Sequence, residues 1–165
     1  MNDTCKLTML GTGNALVTKC YNTCFTIHTP QTMLLVDAGG GNGILAQLEK
    51  AEIKLGDVHH VFITHAHTDH IIGVLWVLRI FIQYALRGMV DGQLHIYGHD
   101  KSQLVLRTMI ELMLPAKLQK QIGTIVLLHE IKDGDSLSIE DLNLTCFDIL
   151  STKEKQLGFA TTVEG

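Results

Sequence analysis

The chain has 165 residues, of which 46% are apolar and 18% charged. That balance excludes a disordered segment and supplies enough apolar side chain for one buried core. A net charge of −4 argues against a broad nucleic-acid surface, which needs clustered Lys and Arg.

In chain order, Cys5 to Leu10 alternates moderately and ends at Gly11, which predicts a strand. Gly11-Thr12-Gly13-Asn14-Ala15 reads as a tight turn, not a dinucleotide fingerprint, because a polar 18–23 stretch follows it instead of an apolar-periodic helix. Cys24–His28 and Met33–Val36 predict two further strands, joined by a turn at Thr29-Pro30-Gln31-Thr32. Asp37 comes directly after four apolar residues, which suits either an exposed turn former or a buried acceptor. The Gly39-Gly40-Gly41-Asn42-Gly43 loop lacks the Gly-Lys-Ser/Thr ending of a nucleotide phosphate loop. A short helix is expected over 44–52, with Ile44, Leu45, Leu48 and Ala51 on one face, and Gly56-Asp57 breaks the chain before the next strand.

That strand, Val61-Phe62-Ile63-Thr64, runs into His65-Ala66-His67-Thr68-Asp69-His70, where three imidazoles and a carboxylate fall within six residues. A lone histidine is usually a surface group or a satisfied core group, but this spacing is cooperative. In extended backbone, side chains at i and i+2 point the same way, so His65 and His67 can share one ion. Asp69 and His70 sit where the loop turns into the next helix and can reach a second ion beside the first. Neutral imidazole and carboxylate suit Zn, Fe or Mn.

From Asp69 a long helix is predicted to about Leu86, apolar nearly all round except for Arg79, Gln83 and Arg87 at i, i+4, i+8. It must be covered by later parts of the domain or by another subunit. With two polar side chains in 71–86, this stretch is also too short for a comfortable membrane span. Gln93–Gly98 reads as a strand, and His99-Asp100 caps a helix that Pro115 stops after Leu114. A strand is expected over 124–128, a hairpin-type turn at Asp133-Gly134-Asp135, and a last strand from Leu142 to Leu150. His59, His60, His95, His99 and His129 read as ordinary histidines. Cys5, Cys20, Cys24 and Cys146 form no C-x-x-C pair and read as reduced thiols. No basic segment followed by a short apolar run opens the sequence, so no secretory leader is expected and the cytoplasm is the expected location.

Thr64 to Gly73, THAHTDHIIG, resembles the signature of the metallo-β-lactamase-fold hydrolases. Together with Leu10-Gly11-Thr12-Gly13, Asn22 and Val36-Asp37-Ala38-Gly39, its order along the chain is similar to ribonuclease Z and its relatives. The resemblance implies an α/β fold layered as an αββα sandwich, one domain over residues 1–165, with the second half incomplete and the C-terminal end truncated. It implies His65, His67, Asp69 and His70 as metal ligands for up to two ions, Zn2+ first and Mn2+ or Fe as alternatives. Asp69 is the implied catalytic residue, orienting a metal-bound hydroxide. Asp37 is the implied structural acceptor beneath the metal loop, fixing ligand histidines or backbone. The implied substrate is a phosphodiester or ester, RNA among them.

Two departures from that pattern stand out. The position of a further ligand histidine falls on Leu150, and Asp148, two residues earlier on the same strand face, is the candidate substitute. The family's bridging Asp and last His come from beyond Gly165. Partial metal occupancy, or none, is therefore expected. The resemblance implies a metal-dependent hydrolase, a phosphodiesterase similar to ribonuclease Z. Its alternative is a catalytically impaired relative acting as a binding module, a homodimer paired through the 71–86 helix or an open sheet edge.

Overall fold

The computed structural model describes residues 5–163, so Gly165 and the expectation attached to it lie outside the described residues. Six strands form one sheet in sequence order: β1 (Lys6–Gly11), β2 (Cys24–His28), β3 (Met33–Val36), β4 (His60–Ile63), β5 (Leu94–Gly98) and β6 (Val126–Glu130). β1, β2 and β3 pair antiparallel, and β3 to β6 pair parallel. Parallel neighbours need crossovers. These are α1 (Gly43–Lys50) with a 3-10 turn at Leu55–Asp57, α2 (Thr68–Ala85), and α3 (Asp100–Met113) with α4 (Ala116–Gln119). A monotonic strand order with crossovers of one hand puts the helices on one face of the sheet.

The other face meets a three-stranded antiparallel sheet of β7 (Ser136–Ile139), β8 (Leu142–Asp148) and β9 (Leu157–Val163). Both faces of the central strands are thus buried, which is why Met33–Val36 and Val61–Ile63 are apolar without alternation. Leu35, Val61, Ile63 and Ile96 pack under the helices. Leu34, Val36, Phe62 and Tyr97 pack against Ile139, Leu142, Leu144, Cys146 and Leu157 of the small sheet. Thr29, in the β2–β3 turn, hydrogen-bonds Asp141 at the β7–β8 tip and pins the two sheets together. The layered α/β sandwich expected from the sequence is the fold observed, and its second sheet has half as many described strands as its first.

The apolar helix α2 is covered within the chain, packing on α1, α3, α4 and β4. Among the described residues, no helix is long and apolar enough to cross a membrane.

Three expectations need correction. The turn at Asp133-Gly134-Asp135 is not a hairpin: it carries the chain from β6 in one sheet to β7 in the other, and the hairpin is the Glu140-Asp141 turn between Ile139 and Leu142. The strand expected over 124–128 begins at Val126, because Ile125 and Val126 donate to the Gln121 carbonyl and close a turn there. The last strand is not the one ending at Leu150. β8 stops at Asp148, Leu150 takes φ 56°, and the chain returns as β9. β7, β9 and α4 were not foreseen, since their short, polar-rich or Gly-interrupted runs carry little periodicity.

Candidate metal centre

Parallel strands end on the same sheet edge, so the loops after β3 and β4 converge there. The first supplies Asp37 and the second supplies Thr64 to His67, after which α2 begins with His67 at its N-cap. The two loops lock together through the backbone: Asp37 N–H donates to Phe62 O at 2.8 Å, Ala38 N–H to His70 O at 3.0 Å, and Gly73 N–H to Gly39 O at 2.8 Å. The approach is so close that a Cβ on Gly73 would fall 1.8 Å from the Ala38 carbonyl oxygen. Asp37 itself has φ 54°, a left-handed conformation uncommon outside glycine and a frequent mark of functional sites.

That backbone aims the Asp37 carboxylate into the histidine loop. Oδ1 accepts from Thr64 N–H at 2.8 Å, and Oδ2 accepts from Thr64 Oγ1 at 2.7 Å and lies 2.7 Å from His70 Nδ1. Thr64 Oγ1 is also 2.9 Å from His65 Nδ1. Proton counting then fixes the tautomers. The threonine hydroxyl has one proton and gives it to Asp37, so it must accept from His65 Nδ1–H. His70 likewise donates Nδ1–H to Asp37. In its neutral form each ring then keeps its lone pair on Nε2, the form in which imidazole binds a metal.

The rings of His65 and His70 have centroids 4.0 Å apart, those of His65 and His67 4.6 Å, and Asp69 Oδ2 lies 3.5 Å from His70 Nε2. Burial and the neighbouring His70 hold His65 down at about 4, so it is a neutral imidazole at ordinary pH. Burial works against charge on His70 too, but the hydrogen bond and charge of Asp37, with the charge of Asp69, outweigh it and raise its pKa.

Among the described residues, Asp37, His65 and His70 form the one group whose ligating atoms lie within 4.8 Å of one another. We read Asp37 as the acceptor beneath that group and not as a ligand, since three donors already occupy its oxygens. His67 and Asp69 border the group without joining it. Leu150 is 83% exposed and offers no ligand, and Asp148 turns its carboxylate onto the Leu150 N–H at 2.8 Å instead of joining the group.

One side chain near the histidines was not singled out from the sequence. Glu154, on the 149–156 loop between β8 and β9, has Oε2 at 3.6 Å from His67 Nε2. As a single acid in a polar stretch, it carries no sequence pattern that marks it.

A family profile described as anti-Pycsar protein Apyc1 matches residues 5–164. The chain belongs to the anti-Pycsar Apyc1 family. This Apyc1-family chain is also 28% identical to ribonuclease Z from Bacteroides fragilis over 142 residues, which is 85% of the chain and 43% of that relative. It therefore spans less than half the length of such relatives. Among solved structures, the metallo-β-lactamase-fold protein YhfI from Bacillus subtilis aligns with a TM-score of 0.73 at 18% identity, over 94% of this chain and 58% of that one. Human tRNase Z, short form, aligns with a TM-score of 0.70 at 21% identity, over 96% and 64%. The fold is the metallo-β-lactamase fold, and the sequence lies in its ribonuclease Z-like branch.

Proposed function

We propose that the chain is a metal-dependent hydrolase, a phosphodiesterase similar to ribonuclease Z. The observation that supports it is the pair of imidazoles, His65 and His70, held at Nδ1 by Thr64 and Asp37 so that Nε2 is the nitrogen left for an ion. The donor set fits a Zn, Mn or Fe ion: neutral imidazoles with fixed tautomers, plus the carboxylate of Asp69. His65, His70, His67 and Asp69 would hold it, and a bound ion supplies Lewis acidity and an activated water. Asp69, whose Oδ2 lies 3.5 Å from His70 Nε2, would take part in binding and orient the attacking water. Asp37 and Thr64 keep the imidazole protons on the side away from the reacting centre. On the family's name, the biological setting is opposition to Pycsar.

A net charge of −4 favours a small phosphodiester over a long RNA, because a long backbone needs many cationic contacts. The test is hydrolysis of bis(p-nitrophenyl) phosphate with added Zn2+ or Mn2+. Turnover should disappear on chelation and fall at least about a hundredfold in His67→Ala or His65→Ala, in the range lost when a catalytic metal is displaced.

A second reading, a binding module without turnover, draws on Leu150, which stands exposed where the family pattern expects a ligand. It predicts metal binding or dimer formation with no hydrolysis at any metal concentration.

A further inference from the structure

Two of the three signature imidazoles have the nitrogen away from the site assigned to an acceptor: His65 Nδ1 to Thr64 and His70 Nδ1 to Asp37. His67 makes no such bond within the metal loop. It is the N-cap residue of α2, its side chain caps nothing, and the ring is 47% exposed. What faces it comes from the other sheet. Glu154 places Oε2 3.6 Å from His67 Nε2, and its side chain is only 9% exposed although it sits on a loop.

That carboxylate is held by several contacts. Lys101 of α3 places Nζ 2.7 Å from Oε1 and 2.9 Å from Oε2, and this ion pair keeps Glu154 below the usual carboxylate range. Next to it, Lys155 pairs with Asp100 at 2.7 Å, so adjacent loop residues are stapled to adjacent residues of the α3 N-terminus. The loop base is closed by Ile149 N–H to Gln156 O at 3.1 Å and tied to the metal loop by Leu157 N–H to Thr64 O at 3.0 Å.

We propose that Glu154 is a positioning residue for His67: anchored by Lys101, it takes the His67 Nε2–H and leaves Nδ1 as the lone pair that ligates. This deepens the metal-hydrolase reading and rests on it. The 3.6 Å separation is an ion-pair distance that a small rotation of the half-exposed ring closes to a hydrogen bond. A ligating role for Glu154 itself fits less well, because Lys101 neutralises the carboxylate, hydrogen-bonding Oε2, and no third ligating atom clusters with Glu154 and His67 among the described residues. The loop that presents Leu150 where a ligand histidine is expected thus still serves the site four residues later.

The test compares the full chain with Glu154→Gln and Glu154→Ala. The first readout needs no metal: the 15N shifts of the His67 ring in the metal-free protein at pH 8. The wild type should show the Nε2–H tautomer almost alone, and Glu154→Ala should fall back to the mixture of a free imidazole, in which Nε2–H is the major but not the sole form. The second is Zn2+ affinity by competition with a chromophoric chelator, together with the Co2+ absorption spectrum. Affinity should fall about ten- to a hundredfold in Glu154→Ala, the usual effect of removing a ligand's hydrogen-bond partner, and less in Glu154→Gln, whose amide oxygen still accepts. The Co2+ spectrum should keep its shape. An unchanged tautomer with affinity within twofold of wild type overturns the proposal, as does a change of coordination number, which would make Glu154 a ligand. If the wild type binds no metal, the hydrolase reading fails as well, whereas a wild type that binds metal with insensitive variants fails this proposal alone.

Discussion

Asp37 accepts from Thr64 N–H, from the Thr64 hydroxyl and from His70 Nδ1–H, at 2.8, 2.7 and 2.7 Å, in a position 4% exposed. Removing it orphans three donors at once, and each buried unpaired donor costs about 1–3 kcal/mol. Because the donors can partly re-pair with water, we expect Asp37→Ala to lower stability by about 3 kcal/mol in urea unfolding. It should also release both histidine tautomers and weaken metal binding. A shift under about 0.5 kcal/mol, the level of an indifferent surface change, would contradict the account. This residue was legible through the family resemblance, since by itself a carboxylate closing an apolar strand suits an exposed turn former as well as a buried acceptor. The histidines were legible by themselves, because their spacing does not depend on anything distant. Glu154 was not legible: its value comes from a contact with His67, 87 positions away by residue number, that exists only once β9 has returned beside Thr64.

At the scale of elements, the site depends on how tightly the loop after β3 packs on the start of α2. A methyl group on Gly73 would meet the Ala38 carbonyl at 1.8 Å, backbone that cannot step aside without moving Asp37. We expect Gly73→Ala to cost about 3 kcal/mol or more, the upper end for overpacking, and to reduce metal affinity with it. Gly41, in the adjoining loop, has open space for 4 Å around the point where a Cβ would stand, and no positive φ. Gly41→Ala should therefore change stability by less than about 1 kcal/mol, and any change should favour the fold. Equal urea midpoints for the two variants would remove the close approach from the explanation. The buried strands were readable because both their faces are covered, which writes continuous apolar runs. The small sheet was not: β7 has one fully buried position, and β9 is interrupted by Gly158, so neither reached the density that marks a strand. The Asp-Gly-Asp turn misled because it has hairpin chemistry but joins two different sheets.

Across the whole molecule, the three described strands of the second sheet face six of the first. On the first sheet's inner face, His60, His95 and His129 stack across β4, β5 and β6, with ring centroids 5.2 Å apart at each step, and Tyr97 lies beside them. Burial, with the neighbouring His95, His59 and His129, holds His60 at about 4. An unfolded histidine titrates near 6.5. Between those values the unfolded chain binds a proton that the folded chain refuses, so stability present above about pH 6.5 is lost as pH falls towards about 4. His60→Gln should lose less of its urea midpoint between pH 7 and pH 5 than the wild type does. Equal losses would assign the acid sensitivity to other groups.

The central claim is that His65, His67, Asp69 and His70, braced by Asp37, form a working metal site although Leu150 supplies no ligand. The most direct measurement is the metal content per chain by elemental analysis, on protein purified without chelator and again after Zn2+ is added and free ion removed. The account predicts about one equivalent per chain, fewer than the two ions of a complete two-metal site, and its loss in a His65→Ala/His70→Ala double variant. No metal above the level of that variant, even after Zn2+ is added, would contradict it.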